Sequence, residues 1–432
     1  MVQDDGPVGL DRVRVSFDDR RAVADAGIVL VATLAARLGI EALADRFVRL
    51  GERVGAAHAG RKVMTLVYAM TLGADCIDDC EMLRSGRLSA LLGRVAAPST
   101  LGTFLRAFTF GHVRQLDRLL AETLKRAWQA GAGPGNGRLV VDVDSFVGEV
   151  HGYAKQGAAF GYTRRRGYHP ILATRADTGE VLHIRLRKGS AGSPRGVLRF
   201  AEELIARVAR AGAGGPKLLR ADSAFWNKKL IARLEHAGWT YSISVRMQFW
   251  VPAAIDEIPE SAWRTLDDYP PDGEAQIAET TAAGRRLIVR RTRLVGPQAE
   301  LWPDWRHFPF ITNRTDPLET VEAEHRQHAV VELAIRDLKD QALAHFPSGR
   351  FNANAAWTVI GCLAHNLLRW SVLIGLPGHT IRAARTFRRR LLALPGRLTR
   401  SARRWTLHLP ARWPWHADFI HALTRIRALS AA

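Results

Sequence analysis

Cysteine is scarce, with only Cys76, Cys80 and Cys362 among 432 residues. Three thiols make no disulfide scaffold, and Cys76 and Cys80 have no second Cys or His pair to complete a zinc site. Reduced thiols in a cytoplasmic protein are the expectation. Clean apolar runs are missing too. The most apolar stretches, 27–38 and 357–376, are broken by Arg, His and Asn. Neither offers the roughly 18 uninterrupted apolar residues of a membrane span, so no membrane partner is expected. The opening MVQDDGPVG is acidic and polar, unlike a secretory signal. Acids are nearly absent from the last part of the chain: 341–432 holds 14 Arg, no Lys and one acid, Asp418. Much of the formal charge of +20 therefore sits at that end. Such an excess requires a polyanion, and nucleic acid is the first expectation.

Length and a hydrophobic share of 47% allow two or three domains. From about 20 to 130, apolar residues recur at three- and four-residue spacing, as in Val29, Leu30, Leu34 and Leu38, which predicts helices. Leu101, Phe104, Leu105 and Phe108 repeat the pattern after the helix-start signal Pro98-Ser99-Thr100. The acidic stretch 76–81 reads as an exposed helix surface. The Gly-rich GAGPGNG at 131–137 reads as a linker, and LVVDVDSF after it has the alternation of a strand.

Further strands are predicted at 169–174 and 181–187 around the turn Asp177-Thr178-Gly179, then a helix at 196–210. A strand at 217–222, a helix at 228–237 and a strand at 241–245 follow. Three strands, a helix, then strand, helix and strand is the order of a ribonuclease H-like sheet. Residues 247–307 interrupt it with a β-rich insertion containing a hairpin of 277–281 against 287–294. A short strand is predicted at 308–313, and a helix at 321–343 by its stripe Val331, Ala334, Ile335 and Leu338. The expected fold is α/β. A helical DNA-binding domain (1–135) precedes a ribonuclease H-like catalytic core (138–246 and 308–345), which the β-rich insertion (247–307) divides, and a helical, Arg-rich region (346–432) follows.

Carboxylates stand at three places that such a sheet brings together. Asp142 and Asp144 share one face of the first strand, because side chains alternate. Asp222 ends the fourth strand, which lies beside the first in this fold. Glu332 sits on a helix with Arg336 and Lys339 on the same face. A single Asp at a strand end is more often a turn or cap residue, and a helical Glu beside Arg and Lys is more often a solvated ion pair. Acids inside the apolar run LVVDVD are different, because burying them unpaired is costly. Hard divalent cations take carboxylate oxygens, so such a cluster suits metal-dependent phosphoryl transfer.

The segments VDVDSFVGEVHG, GYHPILATRADTGEVLHIRLRKGSA, RADSAFW and AVVELAIRDLK resemble those of bacterial insertion-sequence transposases of the DDE type. The likeness is to the insertion-sequence 1380 group, related to the cut-and-paste insertion-sequence 4 superfamily. It implies an enzyme using two Mg²⁺ or Mn²⁺ ions to cut DNA at terminal inverted repeats and to join the freed 3′-OH ends to target DNA. It implies Asp144 as the first catalytic carboxylate, with Asp142 as the alternative, Asp222 as the second and Glu332 as the third. Relatives carry a Tyr, Arg, Glu, Lys pattern around the Glu. Glu332 and Lys339 match, whereas His325 and His328 replace the Tyr and Arg. A homodimer on double-stranded DNA, at the nucleoid, is the implied assembly. Arg164, Arg165, Arg166, Lys188, Trp226, His325, His328, Arg336 and Lys339 are the expected DNA contacts. Ordinary surface charge is the plainer reading of the basic runs, and packing that of Trp226. A catalytically inactive DNA-binding regulator and another ribonuclease H-like nuclease remain as alternative functions.

Overall fold

The computed structural model describes residues 10–161, 163–192, 194–248, 250–267, 273–295, 304–379 and 383–431. The opening MVQDDGPVG lies outside them, as does Arg382, the first Arg of the basic run 382–427.

A nine-stranded mixed sheet forms the centre. Its strands are β1 (Leu139–Ser145), β2 (Ile171–Arg175), β3 (Val181–Arg185), β4 (Lys217–Ala221), β5 (Thr240–Ser244), β6 (Arg264–Thr265), β7 (Gly273–Ala282), β8 (Arg285–Leu294) and β9 (Arg306–Thr312). They run in the order β6-β7-β8-β9-β5-β4-β1-β2-β3. β1 is antiparallel to β2 and parallel to β4, and β4 is parallel to β5. Parallel neighbours need covered faces, which explains why β1 buries Val141 and Val143 on one side and Asp142 on the other. The β7–β8 hairpin turns through Ala283 (φ 52°) and Gly284 (φ 72°), the doubly left-handed turn that matches the twist of its strands. β9 joins this hairpin to β5, so the strands of the insertion continue the main sheet.

Helices α1 (Ile28–Arg37), α2 (Ile40–Phe47), α3 (Ala59–Thr71), α4 (Pro98–Arg106) and α5 (Phe110–Ala127) form the N-terminal bundle. Their stripes close as the sequence predicts: Leu30, Leu34, Leu101, Phe104 and Leu105 are buried. α6 (Val197–Ala211) and α7 (Lys228–His236) follow β3 and β4. The predicted 321–343 helix is two, α8 (Leu318–Arg326) and α9 (Val331–Lys339), joined by the tight turn Gln327–Val330.

α10 (Phe351–Gly375) packs against α3, α5 and β3. It is long and apolar enough to span a bilayer, yet 94% of that stretch is buried inside the protein. The polar residues that interrupt it dock it onto the sheet. Asn366 accepts from Val181 N at 2.7 Å and donates to Val181 O at 2.8 Å. Trp370 Nε1 and Trp128 Nε1 donate to the two oxygens of Glu180, whose pKa burial pushes up to about 7.

Two local expectations change. The C-terminal region is not all helical: beside α11 (His416–Ala428) it contains the hairpin Gly396–Ser401 and Arg404–His408, whose first strand pairs with Ala22–Val23. Residues 76–81 are not an exposed helix face either. They enter the 3-10 turn Asp78–Arg84, which buries Cys80 and Leu83 completely.

Candidate active site

β1 and β4 lie side by side in parallel with Asp142 opposite Arg220 and Val143 opposite Ala221. One step further the same register sets Asp144 beside Asp222, at the carboxyl ends of both strands. The first pairing is closed. Arg220 Nε donates to Asp142 Oδ1 at 2.7 Å and Nη2 to Oδ2 at 2.8 Å, with both side chains buried. His328 Nδ1 lies 3.0 Å from Asp142 Oδ1. The Arg220 guanidinium also donates to the carbonyls of Glu324 and Gln327. This buried cluster ties the α8–α9 junction to the sheet and so sets where α9 begins. Asp142, the alternative first ligand, is wholly engaged there.

The second pairing is open. Asp144 is half-buried, and its Oδ1 accepts from Ser145 N at 2.6 Å. Burial pushes its carboxyl up, as do the charges of Asp222 and Glu332, against the Ser145 N–H and His328. Asp222 caps the turn Ser223–Phe225 through Ala224 N at 3.0 Å. Burial raises its pKa too, while the Ala224 N–H, His328, Arg246 and His169 act in the other direction. Glu332 is exposed in the first turn of α9. A cleft of about 520 Å³ brings Asp144 and Glu332 together with Arg336, Lys339 and Arg165. The Lys339 ammonium lies 5.2 Å from the Phe146 ring centroid, and burial lowers its pKa.

Residues 6–431 match the family described as Transposase DDE domain group 1. The chain belongs to this family. It is an enzyme, a transposase, and its field is DNA transposition and recombination. No curated protein matches it. Among solved structures it is similar to piggyBac transposase in a synaptic complex with hairpin DNA, at 13% identity and a TM-score of 0.47. The likeness covers 84% of this chain and 79% of the other.

Around the cleft, the remaining predicted contacts of the transposase divide by geometry. Arg165 reaches it while paired with Glu149 at 2.7 Å. Arg164 is exposed at a left-handed position, φ 57°. Arg166 is spent on the carbonyls of Gly152 and Tyr153. Lys188 is exposed and does not line the cleft. Trp226 is half-buried, 6.2 Å from Trp250 across a small hollow of about 130 Å³ that Arg246 also lines. His325 does not face the cleft as a phosphate contact. Its ring lies between the Ser242 and Ser244 hydroxyls at 2.7 and 3.0 Å and stacks on Phe310. Burial lowers its pKa to about 3, so it stays neutral.

Arg220, Arg246, His169 and Phe146 were not among the predicted site residues. Only Arg220 had a signal in the sequence, because it sits two residues before Asp222 and so shares its face.

Proposed function

We propose that this transposase cuts DNA at the terminal inverted repeats of an insertion sequence and joins the 3′-OH ends to target DNA by metal-dependent phosphoryl transfer. The observation that carries the proposal is the pairing of Asp144 with Asp222, with Glu332 across the cleft: two half-buried carboxylates raised by burial, one of them also by its acidic neighbours. Among the described residues none of the three is in an ion pair. An all-oxygen donor set of this kind fits Mg²⁺ or Mn²⁺. The sheet supports a ribonuclease H-like core, since its first five strands lie in the order β3-β2-β1-β4-β5 with only β2 reversed against its neighbours. A second acidic group, Asp75, Cys76 and Asp79, is less suited, because an Asp79 oxygen already accepts from the Asp75 and Cys76 amides.

In this reading Asp144, Asp222 and Glu332 would hold two ions, whose chemistry when bound would be to activate the attacking oxygen and stabilise the leaving one. Arg336, Lys339, Arg165 and Arg164 neutralise the phosphates on either side. Trp226 stacks on an unpaired base beside Asp222. His328, anchored by Asp142, adds positive field to both aspartates. A homodimer acting at the nucleoid, with the N-terminal helices reading the element ends, completes the proposal, in keeping with the insertion-sequence 1380 resemblance.

Glu332→Gln keeps the size and removes the charge, so it separates a metal ligand from a solvated ion-pair residue. The expected result is Mg²⁺-dependent cleavage lower by orders of magnitude, with DNA binding and melting temperature unchanged. Near-normal cleavage by the variant would remove Glu332 from the site.

A further inference from the structure

The C-terminal hairpin takes no part in the cleft described above. Its strands Gly396–Ser401 and Arg404–His408 pair from Arg397 opposite His408 to Ser401 opposite Arg404. Cross-strand partners share a face and successive residues alternate. One face therefore carries Leu398 with Leu407 and Arg400 with Trp405. Leu398, 3% exposed, seats the base of the ribbon in the core. Gly396 lies so close to the turn before α1 that a Cβ there would stand 2.6 Å from the Cβ of Ala26. The other face carries Arg397, Thr399, Ser401, Arg404, Thr406 and His408, with no acid. Every residue from Arg400 to Thr406 is exposed, so the tip projects from the body. The guanidiniums of Arg87 and Arg400 lie 5.5 and 5.3 Å from the centroid of the Trp405 ring.

We propose that this ribbon is a duplex-DNA contact that enters the major groove with its polar face. The inference rests on the reading of the transposase as an enzyme acting on DNA. A two-stranded ribbon fits a groove about 12 Å wide. Arg, Ser, Thr and His supply donors for phosphate oxygens and for the guanine acceptors exposed there. Thr399 Oγ1, 2.9 Å from His408 Nε2, orders the middle of that face. Among the described residues Arg397 pairs with one acid, Asp19, 3.9 Å away and exposed, which a phosphate can displace. A single strand would need successive aromatic platforms, and the ribbon carries one aromatic side chain, Trp405, on the face opposite the polar one. A second copy of the chain would meet like charge.

The test uses the full chain and a mixed-sequence duplex, titrated with salt. Arg397→Gln with Arg404→Gln, checked for folding by thermal melting, should flatten the slope of log affinity against log salt by about 0.9 per lost contact. Lys at both positions should restore it. Thr406→Cys should be trapped as a disulfide by a duplex with a thiol tether on cytosine N4, in the major groove, and not on guanine N2, in the minor. Wild type is the control for trapping at the half-buried Cys76, since Cys80 and Cys362 are buried. An unchanged slope in the folded double variant overturns the proposal, as does trapping only from the minor groove or equal loss on single strands. So does a changed oligomeric state with an unchanged slope, which would make the ribbon a contact between copies. A wild-type chain that binds no duplex would sink the DNA reading itself, an outcome distinct from these.

Discussion

The strands β1 and β4 carry two adjacent rows of charge with opposite fates. In the row of Asp142 and Arg220 a buried carboxylate meets a buried guanidinium in a two-bond fork, and His328 takes up the remaining capacity. One step along, Asp144 and Asp222 are like charges, half-buried, with only backbone N–H groups bonded to them. The sequence spacing is the same in both rows. What differs is the partner residue and the distance from the strand ends, where the sheet opens onto the cleft. A closed row stabilises the fold, and an open row, in the function proposed above, keeps charge in reserve for a cation.

Removing one carboxylate from the open row should have the largest effect. Asp144→Asn and Asp222→Asn are expected to lower metal-dependent cleavage by orders of magnitude, read by gel assay of a substrate carrying the element ends. Their metal-free melting temperatures should not fall, because burial already disfavours both charges. A loss of stability matching the loss of cleavage would make these residues structural and erase the contrast between the rows.

The closed row should respond in stability first. Arg220→Met leaves the buried Asp142 without its guanidinium and with His328 as its remaining partner, and breaking such a pair costs about 3–5 kcal/mol. Adding Asp142→Asn should recover part of that loss, and urea unfolding of the four members of the cycle measures the coupling. If Arg220→Met unfolded at the wild-type midpoint, the pair would not be what fastens α8 and α9 to the sheet.

A smaller effect sharpens the contrast without mutation. Mg²⁺ or Mn²⁺ at about a hundredfold excess over its dissociation constant should stabilise the protein by about 2.7 kcal/mol. The pH dependence follows from the raised pKa values of Asp144 and Asp222. A carboxyl whose folded pKa lies above its unfolded value contributes stability at low pH and loses it as pH rises through the folded value. Protons compete with the metal over the same window. The metal-induced shift in melting temperature should therefore grow as pH rises above the ordinary carboxylate range, with protons released on binding. Asp144→Asn should flatten that growth, whereas a pH-independent shift would place the cation elsewhere.

The sequence by itself determined the order of elements from the N-terminal bundle through the sheet, and the carboxylates to weigh. LVVDVDSF, the helical stripes of the N-terminal bundle and the hairpin around 283–284 are local patterns, and a local pattern is read by its own period. It could not choose between Asp142 and Asp144, because both lie on one strand face and the choice depends on which neighbour β4 places opposite each. It could not see that His325 is held by Ser242 and Ser244, residues more than 80 positions away along the chain. Arg166 carries the same charge as its neighbours Arg164 and Arg165, yet only the fold spends it on the carbonyls of Gly152 and Tyr153. The C-terminal hairpin was hidden by Arg-rich composition, and its first strand is fixed by pairing with Ala22–Val23 at the other end of the chain. Partner choice, burial and the free edge of a strand are properties of contacts between distant segments, and only the tertiary structure decides them.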